Sequence, residues 1–190
     1  MEKINFEFLK QIVEALIFAS DVPLSAEQIK TSIGETTVSE VKKAVETLNI
    51  EYSQTNRAFH IIQVAGGFQI VTRETYAQWI KKLFQKRIKS KLSPAALETL
   101  SVIAFKQPVT KSTIEAIRGV NCDGVVRTLL ERKLITISGR SEGPGRALLY
   151  RTTKEFLRYF GINDISDLPK PREIEELLKD EKNLPKDAVE

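Results

Sequence analysis

Set against itself at an offset of 85 residues, the chain repeats: Ala19, Pro23, Leu24, Ser25, Ile29 and Gly34 fall on Ala104, Pro108, Val109, Thr110, Ile114 and Gly119. Core-type positions keep the same offset, with Ile12 on Leu97, Val41 on Val126 and Val45 on Leu130. A chain of 190 residues, 42% of them hydrophobic, can bury one ordinary core or two small ones. A repeat of nearly half the chain selects two copies of one fold in tandem.

In the first copy, Phe8, Leu9, Ile12, Val13, Leu16 and Ile17 recur at helical spacing and predict a helix ending near Ser20. Pro23 then interrupts the chain, Ser25 and Gln28 form a capping box for a short second helix, and Gly34 stops it. Thr37 and Glu40 form another box, followed by the apolar stripe Val38, Val41, Val45 and Leu48 of a third helix. Phe59 to Val64 and Phe68 to Thr72 read as strands, with Gly66-Gly67 as the tight turn between them.

The second copy follows the same plan. Ser93-Pro94 opens a helix, Thr110 to Arg118 forms the next, and Asn121 can cap a third carrying Val125, Val126, Leu129 and Leu130. Leu134 to Ile137 is strand-like, Ser138 to Arg146 reads as a glycine-rich loop, and Ala147 to Thr152 returns as a strand. Thr152 with Glu155 is expected to cap a last helix. Three helices and a hairpin are the winged variant of the helix-turn-helix. The expected fold is therefore α+β, with two tandem winged-helix domains at 1–85 and 86–161 and a mobile acidic tail at 162–190.

The net charge of +4 conceals an uneven distribution. Residues 86–160 carry 15 Lys/Arg against 6 Asp/Glu, whereas 1–85 carry 9 against 10 and 161–190 carry 5 against 9. A middle block of +9 calls for an acidic partner, either a nucleic-acid backbone or a carboxylate-rich protein. The basic stretch Lys81 to Lys91 reads as a helix extension and linker. The opening residues lack a basic start and cleavage site, and no apolar run approaches the roughly 20 residues of a membrane span, so a cytoplasmic protein is expected. The single cysteine, Cys122, has no partner for an internal disulfide.

One histidine, His60, and one cysteine supply neither a soft metal cluster nor a nucleophile–base set. His60 is expected as a solvated strand residue. Gly143 to Arg146 lacks the strand-loop-helix setting of a phosphate loop. No catalytic, cofactor-binding or metal residue is assigned, and no cofactor is expected. A DNA-reading role is also weak: the third helix of the first copy bears Glu40, Glu46 and Glu51, and that of the second bears Asp123 and Glu131.

The second copy carries a dense text: Leu92-Ser93-Pro94-Ala95-Ala96-Leu97-Glu98-Thr99-Leu100, Lys106-Gln107-Pro108-Val109-Thr110, and Ile117-Arg118-Gly119-Val120-Asn121. It continues with Asp123-Gly124, Arg127 to Arg132, Gly143 to Arg146, Leu149-Tyr150 and Phe156-Leu157. This resembles ScpB, the bacterial segregation and condensation protein B, over residues 6 to about 161. Cys122, where serine is expected, and Lys133, where glycine is common, depart from the pattern.

The resemblance implies a non-enzymatic, nucleoid-associated subunit of a condensin-like complex, in which an SMC ATPase and the acidic kleisin ScpA assemble with an ScpB dimer in chromosome condensation and partition. It implies that the first domain mediates homodimerisation, with Phe6, Phe18 and Phe68 as candidates. It also implies kleisin binding by the second, for which the exposed members of the text are Arg118, Asn121, Arg140, Arg146 and Tyr150. The competing expectation is a DNA-binding winged-helix regulator or architectural protein.

Overall fold

The computed structural model describes residues 4–84, 91–143 and 145–169 and has a mixed helix and sheet architecture. The first half runs α1 (Phe6–Ala19), α2 (Ala26–Ile33), α3 (Val38–Gln54), β1 (Phe59–Val64) and β2 (Gly67–Thr72), then a short 3-10 turn and α4 (Ala77–Phe84). Both expected capping boxes form, on Ser25–Gln28 and on Thr37–Glu40, and Gly34 closes α2. Each such cap contributes about 1 kcal/mol to its helix. Leu9, Val13 and Ile17 of α1 meet Ile29 of α2, Val41, Val45 and Leu48 of α3 and Ile61 and Phe68 of the hairpin in one core.

The hairpin turn lies one residue earlier than the glycine pair suggests. Ala65 (φ 52) and Gly66 (φ 74) make it, and Gly67 already belongs to β2, paired with Val64. A Cβ at Gly67 would stand 2.8 Å from the carbonyl carbons of Pro23 and Leu24. That glycine admits the α1–α2 connection, where Leu24 and Phe68 exchange backbone hydrogen bonds of 3.0 and 2.8 Å.

The second half runs α5 (Pro94–Lys106), β3 (Val109–Thr110), α6 (Lys111–Arg118), α7 (Asp123–Glu131), β4 (Ile135–Arg140), β5 (Leu148–Thr152) and α8 (Lys154–Phe160). Its antiparallel sheet has the order β3-β5-β4. Leu100, Ile103, Ile114, Val126, Leu129, Ile135 and Phe156 form the second core.

Local details differ from the sequence expectation. Cys122, buried, holds the N-cap position of α7, while Asn121 folds its carboxamide oxygen back onto the Asp123 N–H at 3.0 Å. Thr153, not Thr152, caps α8, because Thr152 gives both its N–H and its hydroxyl to the Gln107 carboxamide oxygen at 2.7 and 2.9 Å. β4 passes through a bulge near Ser138 and reaches Arg140, so the loop is shorter than the glycines imply.

Of the stretch expected as a tail, Ile162, Ile165 and Leu168 pack against the second core, and 170–190 lie outside the described residues. The two halves touch where the Ala65 N–H donates to the Ile162 carbonyl at 3.0 Å and the Arg158 guanidinium donates to the Asp21 carbonyl at 2.9 Å.

Candidate functional site

Alternation along β5 turns Leu148 and Tyr150 toward α7 and sends Arg151 to the opposite face. Between β5, α6 and α7 this leaves an open groove of about 510 Å³, floored by Val126, Leu130, Leu148 and Tyr150 and rimmed by Lys111, Asp123 and Arg127. Lys111 and Asp123 form an ion pair across its end, and Asn121 adds a 3.1 Å hydrogen bond to the same carboxylate. The ammonium, then the Asn121 amide, hold the Asp123 carboxyl below its ordinary value, and the carboxylate raises Lys111 in return. Arg127 pairs with Glu131 one turn on, at 3.0 Å. An apolar floor with a charged, internally paired rim suits a peptide with apolar anchors.

The five residues expected on this surface do not form one cluster. Asn121 stands at the end of the groove, through Asp123. Tyr150 is its floor and is 7% exposed, so it is a core aromatic and not the exposed anchor expected. Arg118 is at the far end of α6, its side chain 12% exposed, paired with Glu98 and donating to the Ala95 carbonyl at 3.3 Å. It fastens α6 to α5. Arg140 and Arg146 are exposed on the hairpin, where Arg140 donates to the Arg146 carbonyl at 3.2 Å and steadies the loop.

In the first half, Phe68 is 8% exposed and its strand is held by Leu24, which corrects the expectation of a surface residue. Phe6 packs partly against the core, with the Lys43 ammonium 5.1 Å from its ring centre. Phe18 is 78% exposed and, with Phe8, faces solvent from α1. Sequence reasoning read a helix extension only from Lys81, in a stretch of which 85–90 lie outside the described residues, and missed the first turn of α4. Trp79, Leu83 and Phe84 are exposed there, Tyr76 is exposed on the 3-10 turn before it, and no residue of the helix is buried. The Trp79 and Leu83 spacing was a legible signal of an apolar stripe, masked by the lysines between and after them.

His60 is half-buried in β1 with its Nδ1 enclosed and unbonded, unlike the solvated side chain expected. Among the described residues no three His, Cys, Asp or Glu gather as a metal set, and no helix is long and apolar enough to cross a membrane.

The family described as segregation and condensation complex subunit ScpB matches residues 11–171. A segregation and condensation protein B of Syntrophotalea carbinolica is 41% identical, over 93% of this chain and 88% of that protein. Its counterpart in Brevibacillus brevis is 41% identical over 88% of this chain and 86% of its own length. Among solved structures, a dimer of the ScpB N-terminal domain complexed with ScpA peptide is 33% identical over 41% of this chain and 96% of that one, with a TM-score of 0.38.

Proposed function

The chain belongs to the family of segregation and condensation complex subunit ScpB, and from that premise we propose that it is a non-enzymatic adaptor, a homodimer that binds the kleisin ScpA beneath an SMC ATPase. Each half is read as a winged helix, the first for dimerisation and the second for the kleisin. The protein works in the cytoplasm, at the nucleoid, in chromosome condensation and partition.

The observation that carries this reading is the groove between α6, α7 and β5. Its floor is apolar, and the half that contains it is strongly basic. A nucleic acid needs unpaired cations beside phosphates, whereas here Lys111 and Arg127 on the rim are each matched by a carboxylate. A kleisin segment would lay apolar side chains on Leu130 and Leu148 and meet Asn121, Arg140 and Arg146 along the margin, with Arg118 holding α6 in place. For the dimer, the exposed aromatic side chains of α1 and α4, Phe18 among them, are the surface a monomer would not leave uncovered.

Light scattering at high ionic strength, with the protein alone and with ScpA from the same organism, tests both parts. The expected results are twice the chain mass alone and a stable larger species with ScpA. No complex with ScpA, together with DNA binding that weakens steeply with salt, would replace this reading with a DNA-binding one.

A further inference from the structure

The two hairpins treat their outer edges differently. In the first half α3 runs on to Gln54, far enough for Asn49 to lie beside β1. The Asn49 carboxamide donates to the Ile61 carbonyl and accepts from the Ile61 N–H, both at 2.8 Å. One side chain thereby closes the edge of β1. At the repeat offset its counterpart is Leu134, a fully buried core residue, and α7 ends at Glu131 before it can flank the second hairpin.

Among the described residues no side chain flanks β4 as Asn49 flanks β1, and the ladder fixes which groups that edge presents. Thr153 donates to the Leu134 carbonyl, and Thr152 turns its N–H away from β4 toward Gln107. Bonding with β5 thus falls on the Leu134 and Thr136 positions, and the N–H and C=O of Ile137, opposite Tyr150, point outward. Among the described residues nothing bonds to them. The Ile137 side chain beside them is 47% exposed. Such an edge is a template for a further strand.

We propose that β4 receives an extended, acidic segment of a partner protein as an added antiparallel or parallel strand, paired with the backbone of Ile137 and Arg140. The charge of the hairpin identifies that chemistry: Arg140, Arg146 and Arg151 are exposed on it, against the single carboxylate of Glu142. Backbone pairing supplies affinity, the arginines select carboxylates, and Ile137 offers one apolar contact. On the kleisin reading above, on which this inference rests, the added strand is a stretch of ScpA continuous with the part lying in the groove.

Hydrogen exchange of the full-length protein, free and saturated with ScpA, reads the edge directly. Exchange of the Ile137 amide is expected to slow at least about tenfold in the complex, as a new hydrogen bond requires. The variant Ile137→Pro removes the outward N–H together with the one apolar contact, a substitution edge strands accept, and should weaken ScpA binding by at least about tenfold with an unchanged far-ultraviolet spectrum. Formation of the complex with no added protection at Ile137 would overturn strand addition and leave the adaptor reading standing. Absence of any ScpA complex would overturn both.

Discussion

At Gly67 the Pro23–Leu24 backbone comes so close that any Cβ would meet two carbonyl carbons at 2.8 Å. Neither neighbour is a side chain that could swing away. Gly67→Ala should therefore cost about 1–3 kcal/mol, as other overpacking changes do, and lower the melting temperature by several degrees. An unchanged melting curve would mean that the connection yields freely. Asn49 presents the opposite case, a side chain that two buried groups depend on. Ile61 is 4% exposed, so Asn49→Ala leaves its N–H and C=O without partners, at about 1–3 kcal/mol for each group that water cannot reach. Chemical denaturation measures that loss, and a change below about 0.5 kcal/mol would show that water replaces the carboxamide. Neither role was legible in the sequence. Gly67 looks like half of a turn, and an asparagine within a helical stripe looks solvated, because both roles come from chain segments more than ten residues away.

Helix ends, by contrast, are decided within four residues, and most were readable. Ser25, Thr37 and Ser93 cap the helices assigned to them, and Thr110, read as the first helical residue, is the cap of α6; each accepts from the backbone N–H three residues on. The reading failed at Thr152 because Gln107, 45 residues earlier, takes both of its hydrogens, and the cap moves to Thr153. At α3 the box is also a titrating element. The Thr37 N–H, then the Thr37 and Thr36 hydroxyls, hold the Glu40 carboxyl below its ordinary 4.5. A depressed carboxylate contributes stability that is complete above the ordinary value and lost as pH falls through the folded one. Wild type should thus exceed Glu40→Gln in melting temperature at neutral pH, and the difference should close between about pH 5 and pH 3. A difference independent of pH would assign the effect to shape alone. Thr37→Ala should cost about 1 kcal/mol at neutral pH and less once Glu40 is protonated, since it removes both the oxygen that accepts from the Glu40 N–H and the hydroxyl that donates to the Glu40 carboxylate.

For the whole molecule the unbalanced term is apolar surface. Trp79 and Leu83 are 57% and 77% exposed one turn apart on α4, a helix that buries none of its own residues. Within a monomer these side chains contribute almost nothing to stability, so replacing them should leave the folded chain as stable as before. Across a twofold interface each change counts twice. Burying a large apolar side chain contributes about 1.5 kcal/mol or more, so Trp79→Ser with Leu83→Ser removes about 6 kcal/mol from a dimer seated on α4, roughly a 10⁴-fold loss in affinity. The double variant should scatter as a monomer at micromolar concentration, and its melting temperature should no longer rise with protein concentration as that of an associating protein does. ScpA binding through the second half should survive in a smaller complex, because the groove and the β4 edge lie on another part of the chain. A variant that remains a dimer would move the interface to the Phe8 and Phe18 side of α1, where Phe18→Ser repeats the test.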